Sequence, residues 1–319
     1  MEAPHKQHFF DITSEQGLLR TSIAVTLFIA TIGIAFGLAS GSFSIIFDGV
    51  YSLVDASMSG LSLVVVKLIT SHATSLQLSR KLRERFTMGF WHLEPMVLAL
   101  NGILLSGVAI YALINAVSSV LQGGRHLEFG IAMVYAVLTV IACATIAVVE
   151  ARANRKLNSD FVRMDVKGWV MSASITAALL IAFCFGFAVQ GTRWEWVSPY
   201  IDPAVLALVC LVIIPLPLSV VRQALAEIFL VTPGDLKLHV DTVAQQFVAK
   251  HGLQSYKAYV AKVGRSREIE LYFIVPTDMP ARSIAEWDAL RDEIGGAVGG
   301  EGPDRWITVV FTGDPAWAE

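Results

Sequence analysis

The sequence predicts an α-helical membrane protein with six transmembrane helices, followed by a small α+β domain of ferredoxin-like αββαβ order. The first reason is composition, since 55% of the 319 residues are hydrophobic and only 16% are charged, against about 25% charged in typical soluble domains. The second reason is that several apolar runs in the first 230 residues approach or exceed the roughly 18 residues that indicate a membrane span. The third is the change to a soluble-domain composition after Val231.

The apolar runs divide the chain into an N-terminal segment (1–17), a transmembrane region (18–230) and a C-terminal domain (231–319). The N-terminal segment lacks the features of a signal peptide, so the first span is expected to be retained. Pro215 and Pro217 each remove an intrahelical hydrogen bond, so the last span should bend or unwind there. The six spans are expected at about 22–39, 44–66, 95–121, 129–149, 165–187 and 201–221.

Basic residues are distributed unevenly among the connections between spans. The second and fourth connections hold most of them: Arg80, Lys81, Arg83 and Arg85 in one, and Arg152, Arg155, Lys156 and Arg163 in the other. Cytoplasmic connections carry the excess of Lys and Arg. Both termini are therefore expected in the cytoplasm, with the chain in an inner or plasma membrane and in contact with membrane lipid.

The last 85 or so residues show alternating helix and strand patterns. A helix is expected at 235–251, a hairpin of strands at 256–263 and 268–275, a second helix at 281–298 and a last strand at 306–311. Helices on one face of a three-stranded sheet would leave its second face or edge exposed. The pattern therefore predicts self-association through this domain.

Two carboxylates and a phenol share one face of the second span. Asp48, Tyr51 and Asp55 stand at i, i+3 and i+7, so a helix places them on the same side. A carboxylate in the middle of a membrane costs roughly 2.5–3.5 kcal/mol on insertion scales. Because two such residues within two turns are hard to explain by stability, they indicate a cation or proton site.

The six spans, the Asp-x2-Tyr-x3-Asp face and the C-terminal αββαβ order together resemble the cation diffusion facilitator family. The segments 88–94, leading into the third span, and 303–311, in the last strand, are also similar to that family. The resemblance implies a homodimeric, proton-coupled exporter of a divalent cation (Mn, Fe, Zn or Co), dimerised through its transmembrane and C-terminal domains. It also implies that Tyr51 and Asp55 occupy the two ligand positions of the second span.

The fifth span departs from the family pattern of His/Asp-x3-Asp ligands preceded by an aspartate. Asp165 is that preceding aspartate, but the two ligand positions fall on Gly168 and Ser172. Asp55 and Asp165 could share an ion, with Tyr51 or water completing the shell, while Asp48 acts as a proton acceptor or outer relay. Such an oxygen site suits Mn²⁺, Fe²⁺ or Mg²⁺ better than Zn²⁺.

Structural alternatives remain for most of these residues. Asp48 could cap a helix irregularity at Gly49, Tyr51 could pack between helices, and Asp165 could be a first-turn carboxylate that favours the helix dipole. Four further polar residues have structural interpretations: Glu94 and Asn101 as hydrogen-bonding groups on one face of the third span, Glu150 as an interfacial residue, and Asp202 as a helix cap.

Other functions are less consistent with the sequence. A transport-inactive regulatory or partner subunit would explain the loss of the fifth-span ligands, and a channel fits less well than an exchanger. No nucleophile–base pair or phosphate loop indicates an enzyme, and no feature suggests nucleic acid. Regulatory metal binding is not expected in the C-terminal domain, which holds only His239 and His251, nor in the loop that carries His92. Cys143, Cys184 and Cys210 are interpreted as small core residues.

Overall fold

The computed structural model describes residues 15–74, 84–87, 89–157, 160–302 and 304–319. Within these residues, six helical segments are long and apolar enough to cross a membrane, which confirms the predicted six spans. The described helices that carry these spans are α1 (Glu15–Ser40), α2 (Phe43–Thr74), α3 (Leu93–Leu121), α4 (Phe129–Leu157), α5 (Asp160–Val189), α6 (Ser198–Ile213) and α7 (Pro215–Ile228).

The sixth span is built from α6 and α7, which are separated at a proline. The backbone N–H of Ile214 still bonds to the Cys210 carbonyl at 2.9 Å, but Pro215 has no N–H with which to continue the ladder. The helix therefore ends at Ile213 and restarts at Pro215. This confirms the local break predicted from the two prolines.

The C-terminal domain has the predicted αββαβ order. Its elements are α8 (Gly234–His251), β1 (Ser255–Val263), β2 (Ser266–Ile274), α9 (Ile284–Val298) and β3 (Arg305–Thr312). The strands lie in the order β1-β2-β3, with β1 and β2 antiparallel and β2 and β3 parallel. Phe247, Phe273 and Ile294 lie in the core between the two helices and the sheet. The opposite face of the sheet carries the exposed side chains of Tyr259 and Trp306.

The described residues divide into two compact units, one drawn from 1–61 and 100–219 and the other from 62–99 and 220–319. The first unit contains most of the apolar helical region. Its core includes Ile45, Tyr135 and Phe183, all fully buried. The second unit combines the C-terminal domain with α7 and the ends of α2 and α3 that fall in its ranges.

The N-terminal end of α2 is fixed in the first unit by a cap from another helix. The carboxylate of Asp202, on α6, accepts hydrogen bonds from the Ser42 hydroxyl at 2.6 Å and from the backbone N–H groups of Phe43 and Ser44 at 2.9 and 3.3 Å. These N–H groups belong to the first turn, where a helix has no partners of its own. Asp202 is thus a helix cap, as predicted, but it caps α2 rather than its own helix.

Candidate metal site

A cavity of about 200 Å³ lies in the first unit, among α1, α2, α4, α5 and α6. All four residues that the sequence singled out as site residues line it, and so do the two positions where the family's ligands are replaced. These lining residues are Asp48, Tyr51, Asp55, Asp165, Gly168 and Ser172. The structure therefore brings the predicted residues of the second and fifth spans to one space.

Of the two carboxylates on α2, Asp55 is the one that lies close to Asp165, the carboxylate that α5 contributes to the cavity. Asn101, on α3, donates a hydrogen bond to it, and Asp165 is close enough to act on it electrostatically. The expectation that Asn101 hydrogen-bonds across helices is thereby confirmed. Two carboxylates facing one cavity, with an amide orienting one of them, form an arrangement that a divalent cation would stabilise.

Asp48 lies farther along α2, against α4. The Tyr135 hydroxyl donates to its Oδ2 at 3.2 Å. The alternative interpretation of Asp48 as the cap of an irregularity at Gly49 is wrong, because α2 is continuous from Phe43 to Thr74. Gly49 instead permits close packing, since a Cβ there would lie 2.8 Å from the Ala30 carbonyl oxygen. Asp48 thus faces the cavity as a carboxylate held by a phenol.

Tyr51 contributes to both the cavity and the packing around it. Its ring lies 5.5 Å from that of Phe47 and packs against a buried cluster that includes Phe47 and Leu206. Its side chain is also part of the cavity wall. The two interpretations of Tyr51, as ligand and as packing residue, are therefore compatible.

Asp165 lies in the second turn of α5, because the helix begins at Asp160. The alternative of a first-turn carboxylate is therefore wrong. One turn farther along, a Cβ built on Gly168 would meet nothing within 4 Å, so the cavity is open where the family has a ligand. Ser172 is 3.8 Å from the Cys143 sulfur, which donates to its Oγ. The fifth helix thus presents one carboxylate to the cavity, that of Asp165, and no carboxylate or imidazole at Gly168 and Ser172.

Glu150, on α4, is the residue whose role the sequence analysis missed. It is only 2% exposed, and its carboxyl group is in hydrogen-bonding contact with that of Asp165. The interfacial interpretation is therefore wrong. The short connection between α4 and α5 was the available signal, because it forces an antiparallel hairpin in which residues at similar distances from the turn face each other.

The histidines of the C-terminal domain have protein partners. His239 Nε2 lies 3.0 Å from the Val298 carbonyl oxygen, and His251 Nε2 lies 2.9 Å from Glu293 Oε1. Hydrogen bonds from His251 and Lys250 hold the pKa of Glu293 below its ordinary value. Within the part of the chain that the structure describes, no group of three or more His, Cys, Asp or Glu side chains is arranged to hold a metal ion.

Comparison with known proteins identifies the family of the chain. Residues 19–229 match the family model for the cation efflux transmembrane domain. The chain is 22% identical over 240 residues to the metal cation efflux system protein CzcD of Cupriavidus metallidurans, covering 75% of this chain and 69% of that protein. The same values hold for the cation efflux system protein CzcD of an Alcaligenes species. With a family match over more than half of its length, the chain belongs to the cation diffusion facilitator, or cation efflux, family and is an integral membrane protein of metal-cation export.

Proposed function

We propose that this chain exports a divalent metal cation from the cytoplasm in exchange for protons, through a site between α2 and α5. The observation that supports the proposal most directly is the convergence of Asp55 and Asp165 on one cavity, with Asn101 hydrogen-bonded to Asp55. Protons and metal ions compete for the same carboxylate oxygens, so release of one can accompany binding of the other. Asp48, next to Tyr135, is proposed as a proton acceptor on the path.

The proposed cation is a hard one. The charged cavity residues offer carboxylate oxygen, whereas structural and catalytic zinc sites use histidine and cysteine widely. Oxygen ligands suit Mn²⁺, and also Fe²⁺ or Co²⁺ at lower preference, better than Zn²⁺. The basic second and fourth connections support an orientation with both termini in the cytoplasm, so that the metal ion moves outward.

Proton flux driven by a metal gradient tests the proposal. When Mn²⁺ is added outside proteoliposomes of the purified protein, the lumen should become more alkaline as protons leave in exchange for Mn²⁺, and Asp55→Asn should reduce the rate at least about tenfold, the equivalent of 1.4 kcal/mol. Asp278→Asn, the same change in a loop of the C-terminal domain, is the matched control. Wild-type protein whose flux equals that of empty liposomes would contradict exchange.

A transport-inactive subunit is the second candidate function. The observation that favours it is the absence of a ligand side chain at Gly168 and the weak neutral ligand at Ser172. The same liposome experiment separates the two candidates, because an inactive subunit shows no metal-dependent flux by itself. It should instead alter the metal resistance of cells that contain a second, active exporter.

A homodimer is proposed as the working assembly. The sheet face opposite the two helices exposes Tyr259 and Trp306, at 48% and 50%, and aromatic residues are enriched in protein interfaces. Trp306→Glu should lower the dimer fraction in light scattering of the detergent-solubilised protein. Leu238→Glu, at an exposed position of α8 on the helical side of the domain, is the control; equal dimer fractions in both variants would argue against this face.

A further inference from the structure

The clearest unexplained feature of the first unit is a pair of buried carboxyl groups at the α4–α5 hairpin. Glu150 and Asp165 are in contact, yet neither Oε2 of Glu150 nor Oδ2 of Asp165 has a hydrogen-bond partner among the described residues. Two carboxylates repel each other, and burial strengthens the repulsion. The contact is stable only when something positive lies between them.

Glu150 is held in place by two other helices. The Trp169 ring nitrogen, on α5, donates to the Ser22 hydroxyl, on α1, at 2.9 Å, and both side chains lie close to the Glu150 carboxylate. Trp169 is buried with Cys143 and Ala147 in a cluster of these helices. The glutamate is therefore enclosed by these side chains, and its Oε2 has no hydrogen-bond partner among the described residues.

Glu150 and Asp165 also lie at similar distances from the connection between their two helices. Glu150 lies seven residues before the end of α4 at Leu157, and Asp165 lies five residues after the start of α5 at Asp160. At 1.5 Å per residue, Glu150 lies about 10 Å from the end of α4, and Asp165 lies about 8 Å from the start of α5. Asp165 lines the cavity, and Glu150 lies next to Asp165 on the neighbouring helix α4.

We propose that Glu150 and Asp165 together hold the transported cation where Asp165 lines the cavity, as a carboxylate pair that replaces the ligands absent at Gly168 and Ser172. The inference rests on the proposed transport function. The site takes a divalent cation that prefers oxygen, such as Mn²⁺, because both protein ligands are carboxylates. Water completes its coordination, and Asp55, which lies within the electrostatic reach of Asp165, receives the ion from it.

Metal binding to the purified, detergent-solubilised full chain tests the site without requiring transport. Glu150→Gln keeps the shape and the acceptor oxygen for Ser22, and its amide can donate to Asp165, so the variant should fold. We expect calorimetric titration to show Mn²⁺ binding at least tenfold weaker than in the wild type. Glu128→Gln, the same change at an exposed position before α4, should bind Mn²⁺ as the wild type does.

A luminescence measurement locates the ion. Tb³⁺ prefers oxygen ligands and emits when a nearby indole is excited, and Trp169 touches the Glu150 carboxylate. Tb³⁺ emission that Mn²⁺ displaces should appear in the wild type and be lost in both Glu150→Gln and Trp169→Phe. Emission that persists in Trp169→Phe would place the ion elsewhere and overturn the proposal.

The outcomes separate this inference from the proposed function. Unchanged Mn²⁺ affinity in Glu150→Gln overturns the carboxylate pair as a cation site, and a proton shared by the two carboxyl groups then explains their contact. A proton flux that depends on Asp55 would still support exchange in that case. Conversely, Glu150-dependent Mn²⁺ binding without any flux in liposomes supports the pair and contradicts the exchanger.

Discussion

Gly168 lines the cavity at a position where the family resemblance implies a metal ligand. A Cβ at this position meets nothing within 4 Å, and Ser172, one turn farther along α5, borders the same cavity. The double substitution Gly168→His with Ser172→Asp should therefore fit without displacing neighbours. It would supply the ligands that the family resemblance places at these positions.

We expect this double variant to bind Zn²⁺ at least tenfold more tightly than the wild type, because imidazole nitrogen is a preferred zinc ligand. Calorimetric titration with Zn²⁺ and Mn²⁺ measures the change in preference. Gly168→Ala with Ser172→Ala is the matched control, since it alters volume and helix propensity without adding a ligand. Equal Zn²⁺ affinity in both double variants would mean that the cavity does not bring α5 close enough to Asp55.

Which residues share a face of one helix could be predicted from the sequence. Which residues meet across different helices could be predicted less well. The face shared by Asp48, Tyr51 and Asp55 follows from the helical period alone. The partners of Glu150 and Asp202 could not be predicted because they lie on other helices: Glu150 meets Asp165 on α5, and Asp202, predicted as a helix cap, caps α2 from α6. Hydropathy locates such residues along a span but carries no information about which neighbouring helix they face.

At the scale of elements, α1 and α2 pack through small residues. A Cβ on Gly49 would approach the Ala30 carbonyl oxygen at 2.8 Å and the Ile34 nitrogen at 2.9 Å, and one on Gly37 would lie 2.7 Å from the Ile46 nitrogen. These close neighbours are backbone atoms, which cannot rotate away as side chains can. In a membrane, where helix association depends on close packing, small residues of this kind allow two backbones to approach.

Gly49→Ala should therefore lower the free energy of unfolding by about 1–3 kcal/mol, the usual cost of overpacking. Thermal unfolding in detergent, followed by the loss of helical circular dichroism or by thiol labelling, measures the change. Gly107→Ala, on α3, is the control because its added Cβ meets nothing within 4 Å. That change should be neutral or stabilising by about 0.5–1 kcal/mol, since alanine favours the helix over glycine; equal loss of stability in both variants would contradict the packing argument.

Element boundaries were predicted less well than the elements themselves. The fifth span was expected from about residue 165, but α5 begins at Asp160, because a helix continues through polar residues beyond the apolar stretch that hydropathy detects. This difference moved Asp165 out of the first turn. The strands of the C-terminal domain were located within one or two residues, since their alternating pattern ends where the hairpin turns at Gly264, whose φ is +59°.

At the scale of the whole molecule, the second unit joins the last apolar helix to the C-terminal sheet. Glu227, near the end of α7 and only 9% exposed, accepts hydrogen bonds from Lys262 Nζ at 3.2 Å and from the Gly264 backbone N–H at 3.0 Å. On the other side of the same hairpin turn, Arg265 pairs with Glu94, at the start of α3, at 3.4 Å. The β1–β2 turn is thus held between two helices of the apolar region.

Glu227→Ala should loosen this connection without unfolding either part. A buried hydrogen bond to a charged acceptor contributes about 1.5–3 kcal/mol, so its loss should speed hydrogen exchange at the β1–β2 turn by roughly tenfold or more. Exchange measured by mass spectrometry on peptides covering the turn tests this, with α8 peptides as an internal reference. Glu301→Ala, at an exposed loop, should leave the turn protected. If the turn in Glu227→Ala exchanged as slowly as in the wild type, Glu94 and Arg265 alone would be sufficient to hold the hairpin.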